Sequence, residues 1–425
     1  MVSLKLTFLG SGSEVGRSSI LLENEGEKHL LDCGVKVSSG NEYPLISEEL
    51  ASSLKSVYLT HAHLDHSGFL PKLPKLGFKG KIICTKPTRD LIQVLLNDFV
   101  RITPEKIYSH EDVTKMLSET SLVDYGDMFY DAGHILGSAS IKINDLLYSG
   151  DINNRSSTLL DKFNPPKEAK HLILEGTYSA NKDKFASQKT IVKNFIKSIN
   201  DTLEAGGIVL IPSFGIGRGQ ELLFVLDNHM KNGVLKKVPI FVDGSINKVL
   251  RIYRSNANYL NDEIKNRILT SVKDPFQSEN YFKPKTRTKS DVYAAKPCIV
   301  LSTSGMLNGG PILSYLKKCC HDEKNKIILV GFQPENSKGR KLLEEKKFSF
   351  ESGTVDMKLQ VEQHHFSAHA DQPGLYEYVN SIQGLETVIL NHGESKKLHE
   401  FQEFLKDKTG LKVIIPENGE SIKLS

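Results

Sequence analysis

The sequence predicts an α/β chain in which one module interrupts another, and three observations predict it. Residues up to about Tyr178 alternate short apolar strands with turns and helices, the pattern of sheets covered by helices. From Thr190 onward, helices alternate with wholly apolar runs, the pattern of a parallel sheet with helices on both faces. A hydrophobic strand followed by a polar residue of ligand type and a tight turn recurs before Tyr178, and returns only after Gly353. The expected division is 1–179 with 354–425 as one discontinuous domain, and 180–353 as the insert.

The N-terminal run Met1 to Leu9 alternates and is too short for a signal peptide, so it reads as an opening strand. Leu30-Leu31 is a strand end followed by Asp32. Val57-Tyr58-Leu59 is another, and it leads into Thr60-His61-Ala62-His63-Leu64-Asp65-His66-Ser67-Gly68. Extended chain puts His61 and His63 on one side. A helix starting near Leu64 or Asp65 projects Asp65 and His66 toward a different point. One short loop thus offers two ligand sets, suited to two metal ions. His134, Asp151 and His392 each follow an apolar stretch beside glycines, where strand gives way to loop. In the insert, Ser179 to Lys184 is polar and breaks the pattern. Thr190 to Leu203 has helical spacing, Gly206-Gly207 ends it, and Ile208 to Ile211 reads as a buried strand. Gly219 to His229, Val238 to Val242 and Cys298 to Leu301 continue the alternation. The stretch 273–297 is lysine-rich and reads as an irregular surface excursion.

Composition excludes several classes. Charged residues are 25% of the chain but the net charge is only +4, which rules out a strongly basic nucleic-acid coat and leaves binding to a local surface. The five cysteines are odd in number and form no C-x-x-C pair, so they read as reduced, cytoplasmic thiols and not as a disulfide frame or zinc knuckle. No apolar run approaches membrane-spanning length, and no internal repeat is visible.

In the order Asp32, His61-x-His63-x-Asp65-His66, His134, Asp151, the chain resembles the metallo-β-lactamase superfamily of binuclear zinc hydrolases. Leu174-Glu175-Gly176-Thr177-Tyr178, Phe366-Ser367-Ala368-His369-Ala370-Asp371 and Asn391-His392-Gly393-Glu394 narrow the resemblance to its β-CASP branch of nucleic-acid nucleases. Glu14 to Ser18, Pro212 to Arg218 and Ser302 to Leu307 are similar to the cleavage-factor type of RNA 3′-end processing and its archaeal and bacterial relatives. The resemblance covers essentially the whole chain. It implies an αββα sandwich with an inserted, mostly parallel β-CASP α/β domain.

By the same resemblance, His61, His63 and His134 would hold one Zn2+, Asp65, His66 and His392 a second, and Asp151 would bridge them. Imidazole and carboxylate suit zinc where an open position must remain for water. Two cations lower the pKa of a shared water and stabilise charge building on phosphorus. Asp65 and Asp32 count with the catalytic groups. Asp32 either orients a ligating imidazole or caps the turn at Gly34. His369 matches the family's general acid and Glu175 its carboxylate partner. Gly176 departs from the small hydroxyl residue common in relatives, and His364-His365 are given no catalytic part. Ser213, Arg218, Ser304, Gly305 and Ser367 are the expected substrate-binding residues, with plain turns as the alternative for the glycine-rich strand ends. The loop Gly331 to Arg340 resembles another family loop, with an unusual Pro-Glu-Asn-Ser centre.

The implied reaction is hydrolysis of single-stranded RNA, endonucleolytic, leaving 5′-phosphate and 3′-hydroxyl ends. RNA is favoured over DNA by His392, where DNA-repair relatives tend to carry an aliphatic residue. A 5′-to-3′ exoribonuclease, an RNA-binding scaffold subunit and a small-molecule hydrolase are the competing readings. A homodimer or an RNA-processing complex is compatible with all but the last.

Overall fold

The computed structural model describes residues 4–37, 40–270, 274–331, 333 and 337–424. The chain forms two compact units, 1–184 with 368–425, and 185–367.

The first unit is a sandwich of two sheets. One has seven strands in the order Ser421–Leu424, Leu4–Gly10, Ser19–Asn24, Glu27–Leu31, Ser56–Tyr58, Lys81–Thr85, Thr120–Val123. Its first three pairings are antiparallel and its last three parallel. The other has six, in the order Lys412–Ile414, Thr387–Asn391, His171–Glu175, Leu146–Tyr148, Ala139–Ile143, Phe129–Asp131. Side chains alternate across a strand, and that alternation builds the layers. Leu146, Tyr148, Ile173 and Ile389 face Leu6, Phe8, Ile20 and Leu22 of the partner sheet. Their neighbours Leu147, Leu172, Leu174, Val388 and Leu390 face helices Gln372–Asn380 and Ser395–Thr409 through Leu375, Tyr378, Leu398 and Phe401. On the opposite side, helix Lys86–Ile102 packs along strands Lys81–Thr85 and Thr120–Val123. The layer order is therefore αββα, as expected.

The second unit carries a six-stranded, wholly parallel sheet in the order Tyr281–Phe282, Ile240–Asp243, Cys298–Ser302, Ile208–Pro212, Lys326–Leu329, Gln360–Gln363. Its central strands are buried on both faces, which is why they read as unbroken apolar runs. Helices Ile312–Cys319 and Lys338–Glu345 cover one face.

One expectation needs correction. The stretch 273–297 is not irregular throughout: Tyr281–Phe282 pairs with the strand at Ile240, and Ser290–Ala294 is a helix. The compact units divide at 185 and 368, beside the 180 and 354 expected for the sequence domains. The hairpin Lys347–Phe350/Gly353–Asp356 and the edge strand Gln360–Gln363 belong to the second unit. That edge strand is only partly buried, so its sequence looks like a polar connection. Met1 to Ser3 lie outside the described residues. Among the described residues, no helix is long and apolar enough to cross a membrane.

The turn after Glu27–Leu31 is locked to the helix Leu64–Ser67. Cys33 N–H donates to the His66 carbonyl at 2.8 Å, Val35 N–H to Leu64 at 2.8 Å, and Ser18 N–H to Asp65 at 2.7 Å. Between them, a Cβ on Gly34 would stand 1.7 Å from the Asp65 carbonyl oxygen, so only glycine fits. Gly34→Ala should lower the unfolding free energy by about 1–3 kcal/mol or more, read as an earlier urea midpoint; an unchanged midpoint would refute the packing argument.

At the end of strand Phe129–Asp131, burial raises the Asp131 carboxyl to about 6, although the Gly133 amide pulls it down. The folded chain holds this proton more tightly than the unfolded one. The contribution is therefore full below about pH 4 and is lost as pH rises through about 6. Asp131→Asn should stabilise the chain in urea titrations above that window and change little below it.

Candidate metal centre

The side chains of the centre gather where strands of the first unit end. Glu27–Leu31 runs into Asp32, in left-handed backbone with φ 61°. Ser56–Tyr58 leads to His61 and His63, and His63 caps the helix Leu64–Ser67 that carries Asp65 and His66. Phe129–Asp131 leads through Gly133 to His134, and Leu146–Tyr148 through Gly150 to Asp151. His171–Glu175 ends on Glu175, and Thr387–Asn391 delivers His392.

These residues form two sets. His61, His63, His134 and Asp151 present ligand atoms within 4.8 Å of one another, and Asp65, His66 and His392 do the same. Asp151 stands between them. Its Oδ2 lies 3.5 Å from His61 Nε2 and 3.6 Å from His134 Nε2. Its Oδ1 lies 3.3 Å from His66 Nε2 and 3.9 Å from His392 Nε2.

Outer partners fix which nitrogen faces inward. His61 Nδ1 meets Thr60 Oγ1 at 3.0 Å, His66 Nδ1 meets Asp32 Oδ2 at 2.7 Å, His134 Nδ1 meets the Ala368 carbonyl at 2.8 Å, and His392 Nδ1 meets Ser18 Oγ at 3.1 Å. Each keeps Nε2 for the centre. His63 is reversed: its Nδ1 lies 3.2 Å from His61 Nε2 and 3.1 Å from His134 Nε2.

The donor set fits divalent cations. His66 Nε2 and Asp151 Oδ1 are buried without a well-formed hydrogen bond in the protein, a costly state for polar atoms that a cation relieves. Burial holds His61 and His134 well below the usual imidazole range, and neighbouring imidazoles push the same way. Burial also lowers His63. Neutral imidazole is the ligating form. Burial opposes ionisation of Asp151, yet His66, His392 and His369 around it hold its carboxyl well below the carboxylate range.

His369 sits beside this centre. Its Nδ1 is 3.1 and 3.0 Å from the two Glu175 oxygens, and Ile152 N–H donates to Glu175 Oε1 at 2.8 Å. Burial would lower the imidazole, but Glu175 and then Asp151 outweigh it and raise it to about 9. Asp151, Glu175 and His369 also have the spacing of a third metal group. Glu175 already has an imidazole and an amide as partners, so the pair reads better as a proton-bearing couple. For Asp32, the Gly34 amide donates instead to the Ser18 carbonyl, at 2.9 Å, and the carboxylate turns to His66.

Within the second unit, Ser213 and Ser304-Gly305 follow adjacent parallel strands with Pro212 opposite Ser302, so they share one carboxyl edge of the sheet. Ser213 is fully buried. Arg218 opens the helix Arg218–Lys231 and is largely buried, and Ser304 Oγ donates to the Gly309 carbonyl at 3.1 Å. Ser367 is the last residue of this unit. His364 packs against Phe195 and His365 against Phe185. In the loop Gly331 to Arg340, Phe332 and Pro334 to Asn336 lie outside the described residues.

The sequence reading gave no role to Ser18, Thr60, Tyr148 or the Ala368 carbonyl, although Ser18, Thr60 and Ala368 lie inside the motifs it quotes. Hydroxyl residues are common and backbone carbonyls carry no sequence signal. Only the position of Thr60 and Tyr148 immediately beside ligand motifs could have marked them.

A two-sheet αββα sandwich with paired His/Asp sets at its strand ends defines a metal-dependent hydrolase. Comparison with known families and proteins agrees. The metallo-beta-lactamase superfamily model matches residues 12–191, the Beta-Casp domain model 219–342, and the Zn-dependent metallo-hydrolase RNA specificity domain model 354–416. The chain is 38% identical to an RNase J-like protein of Methanocaldococcus jannaschii over 93% of each chain. It is 33% identical to transcription termination factor FttA of Methanothermobacter thermautotrophicus, over 99% of this chain and 72% of that one. A crystal structure of a protein of unknown function from Enterococcus faecalis V583 shares the fold, with a TM-score of 0.56 at 14% identity, over 99% of this chain and 100% of that one. The chain belongs to the β-CASP branch of the metallo-β-lactamase superfamily.

The double change His61→Ala, His63→Ala should remove about one equivalent of bound metal or more, measured by elemental analysis of the folded chain. His369→Ala should leave the metal content intact; loss of metal there would make His369 a ligand.

Proposed function

We propose that this chain is a zinc-dependent ribonuclease that cleaves single-stranded RNA internally and leaves 5′-phosphate and 3′-hydroxyl ends. The observation that carries the reading is the split of Asp151, with one oxygen toward each histidine set and His369–Glu175 alongside. RNA as substrate is supported by the match to an RNA specificity domain and by relatives named as an RNase J-like protein and a transcription termination factor.

In this reading His61, His63 and His134 would hold one ion, Asp65, His66 and His392 the other, and Asp151 would serve both sets. Two bound zinc ions would supply an acidified water and positive charge against the scissile phosphate. The chain's own groups do the rest. Asp32 keeps His66 oriented through Nδ1. Glu175 engages His369 Nδ1, so Nε2 carries the proton to be given up. As a hydroxide oxygen, its proton already lost to solvent, bonds to phosphorus and the bond to the 3′-oxygen breaks, His369 protonates that 3′-oxygen, and an alcohol leaves instead of an alkoxide. Ser213, Arg218, Ser304, Gly305 and Ser367 are proposed to handle the substrate. The carboxyl edge of a parallel sheet is where such folds bind ligands, and Arg218 brings charge suited to phosphate.

One RNA sequence, offered to the zinc-loaded chain as a sealed circle and as a 5′-monophosphate linear strand, tests the mode on a gel. Opening of the circle is expected; loss of the linear strand alone makes the chain a 5′-to-3′ exonuclease, and no cleavage of either favours a scaffold. His369→Ala should slow circle opening about 10²–10⁴-fold.

A further inference from the structure

The turn that carries His369 is fastened to the loop that follows Asp151. Ile152 serves both sides of the proton-bearing couple. Its N–H donates to Glu175 Oε1 at 2.8 Å, and its carbonyl accepts from Ala370 N–H at 2.6 Å. Further along the same loop, Arg155 Nη2 donates to Asp371 Oδ2 at 2.5 Å. The Asp371 side chain is 3% exposed and that of Arg155 30%, so solvent screens this pair less than a surface one. A guanidinium donating to a carboxylate is also among the stronger hydrogen bonds. Asp371 Oδ1 caps the helix Gln372–Asn380, accepting from Gly374 N–H at 3.2 Å. A Cβ on Gly374 would stand 2.2 Å from the Asn154 side chain, so the helix start rests directly on the loop.

Two ties therefore run side by side, Ala370 to Ile152 and Asp371 to Arg155. On the other flank of His369, the Ala368 carbonyl meets His134 Nδ1 at 2.8 Å. The backbone is held on both sides of the imidazole, and Glu175 then fixes the ring. The imidazoles His61, His66 and His392 take their outer bonds from Thr60, Asp32 and Ser18 instead. Proton transfer to a leaving oxygen requires donor and acceptor within hydrogen-bond reach, and a misplacement of about 1 Å can cost about 10²-fold in rate. A tie that holds the His369 turn thus bears on the proton and not on the ligand sets.

We propose that Arg155 and Asp371 are positioning residues that clamp the His369 turn onto the Asp151 loop, and so set protonation of the leaving oxygen without setting metal binding. The inference rests on the reading of His369 as general acid in a ribonuclease. Neither residue touches RNA in this role; each acts through His369.

The test uses the full zinc-loaded chain and one RNA oligonucleotide made with either oxygen or sulfur as the 3′-bridging atom of the linkage that is cut. A thiolate leaves without a proton, whereas an alkoxide needs one. Arg155→Ala leaves the helix cap in place, and Asp371→Asn keeps an oxygen for it while removing the charge. Each should slow single-turnover cleavage of the oxygen form about 10–100-fold and the sulfur form less than about threefold, with zinc content unchanged by elemental analysis. The double variant should be no slower than the slower single one, because both break the same tie. Arg155→Lys, which keeps the charge, should recover part of the loss. In the metal-free chain, hydrogen exchange at the Ala370 amide should quicken about tenfold in either single variant. Urea midpoints check the fold, and either variant carries the rate arm should the other not fold. Unchanged rates, equal slowing of both forms, or loss of zinc would overturn the inference. His369→Ala is the reference and should show the same split, larger. If it slows both forms alike, the acid reading fails and the inference with it; if the unaltered chain cuts neither form, the ribonuclease reading itself falls.

Discussion

Taking a carboxylate out of water costs several kcal/mol unless its oxygens are fully engaged, and Asp32 is fully buried. Its oxygens take the Thr60 amide at 2.8 Å, the Thr60 hydroxyl, His66 Nδ1 and the Tyr148 hydroxyl. Those donors come from the turn after one strand, from the helix Leu64–Ser67 and from the end of a second strand, so satisfying one charge brings three parts of the unit to fixed positions. The metal-facing nitrogens are a consequence. Each imidazole has two, and the outer bond decides which remains free. Asp32 also sits in left-handed backbone at φ 61°, a cost the surrounding bonds must offset. The geometry of the centre is therefore an outcome of how a buried charge is solvated by protein, and a divalent metal would enter a frame already set.

The fold's layers and the cluster from His61 to His66 were legible in the sequence because both depend on residue type at a fixed spacing, whereas the grouping of His134, Asp151 and His392 with that cluster came from the family resemblance. Period-two alternation separates Leu146 and Tyr148 from Leu147, and His-x-His-x-Asp-His admits few readings other than ligands. What escaped depends on long-range pairing. Ser18 and His392 lie 374 residues apart, and no local pattern marks a serine that will meet an imidazole. The strand Gln360–Gln363 was missed for a related reason. It is an edge, half-exposed, and its pairing to Lys326–Leu329 is all that makes it a strand. Likewise Tyr281–Phe282 is two residues long and exists only because Ile240 and Phe241 lie beside it. The third family segment begins at 354, whereas the compact unit resumes at 368. Sequence kinship and packing need not change at one residue.

Each unit has its own core, and the two cores follow different rules. In the first, one sheet face meets the other sheet and the opposite face meets helices, so strands alternate in what they bury. In the second, the central strands are apolar on both faces. In both architectures the backbone turns just past the carboxyl ends of paired strands and presents polar groups there. The centre in the first unit and the Ser213/Ser304 edge in the second occupy equivalent places for this reason.

The split of the first unit in sequence also sets an order of events. Strand His171–Glu175 precedes the second unit, and its parallel neighbour Thr387–Asn391 follows it. A ribosome therefore delivers His61, His63, His134 and Asp151 first, then the whole second unit, and only afterwards His369 and His392. A chain paused within the insert has the group His61, His63, His134 and Asp151 complete, the group Asp65, His66 and His392 lacking its last member, and no His369 beside either. The last groups to emerge are the ones that complete the cluster, so it cannot assemble before the whole second unit has been synthesised.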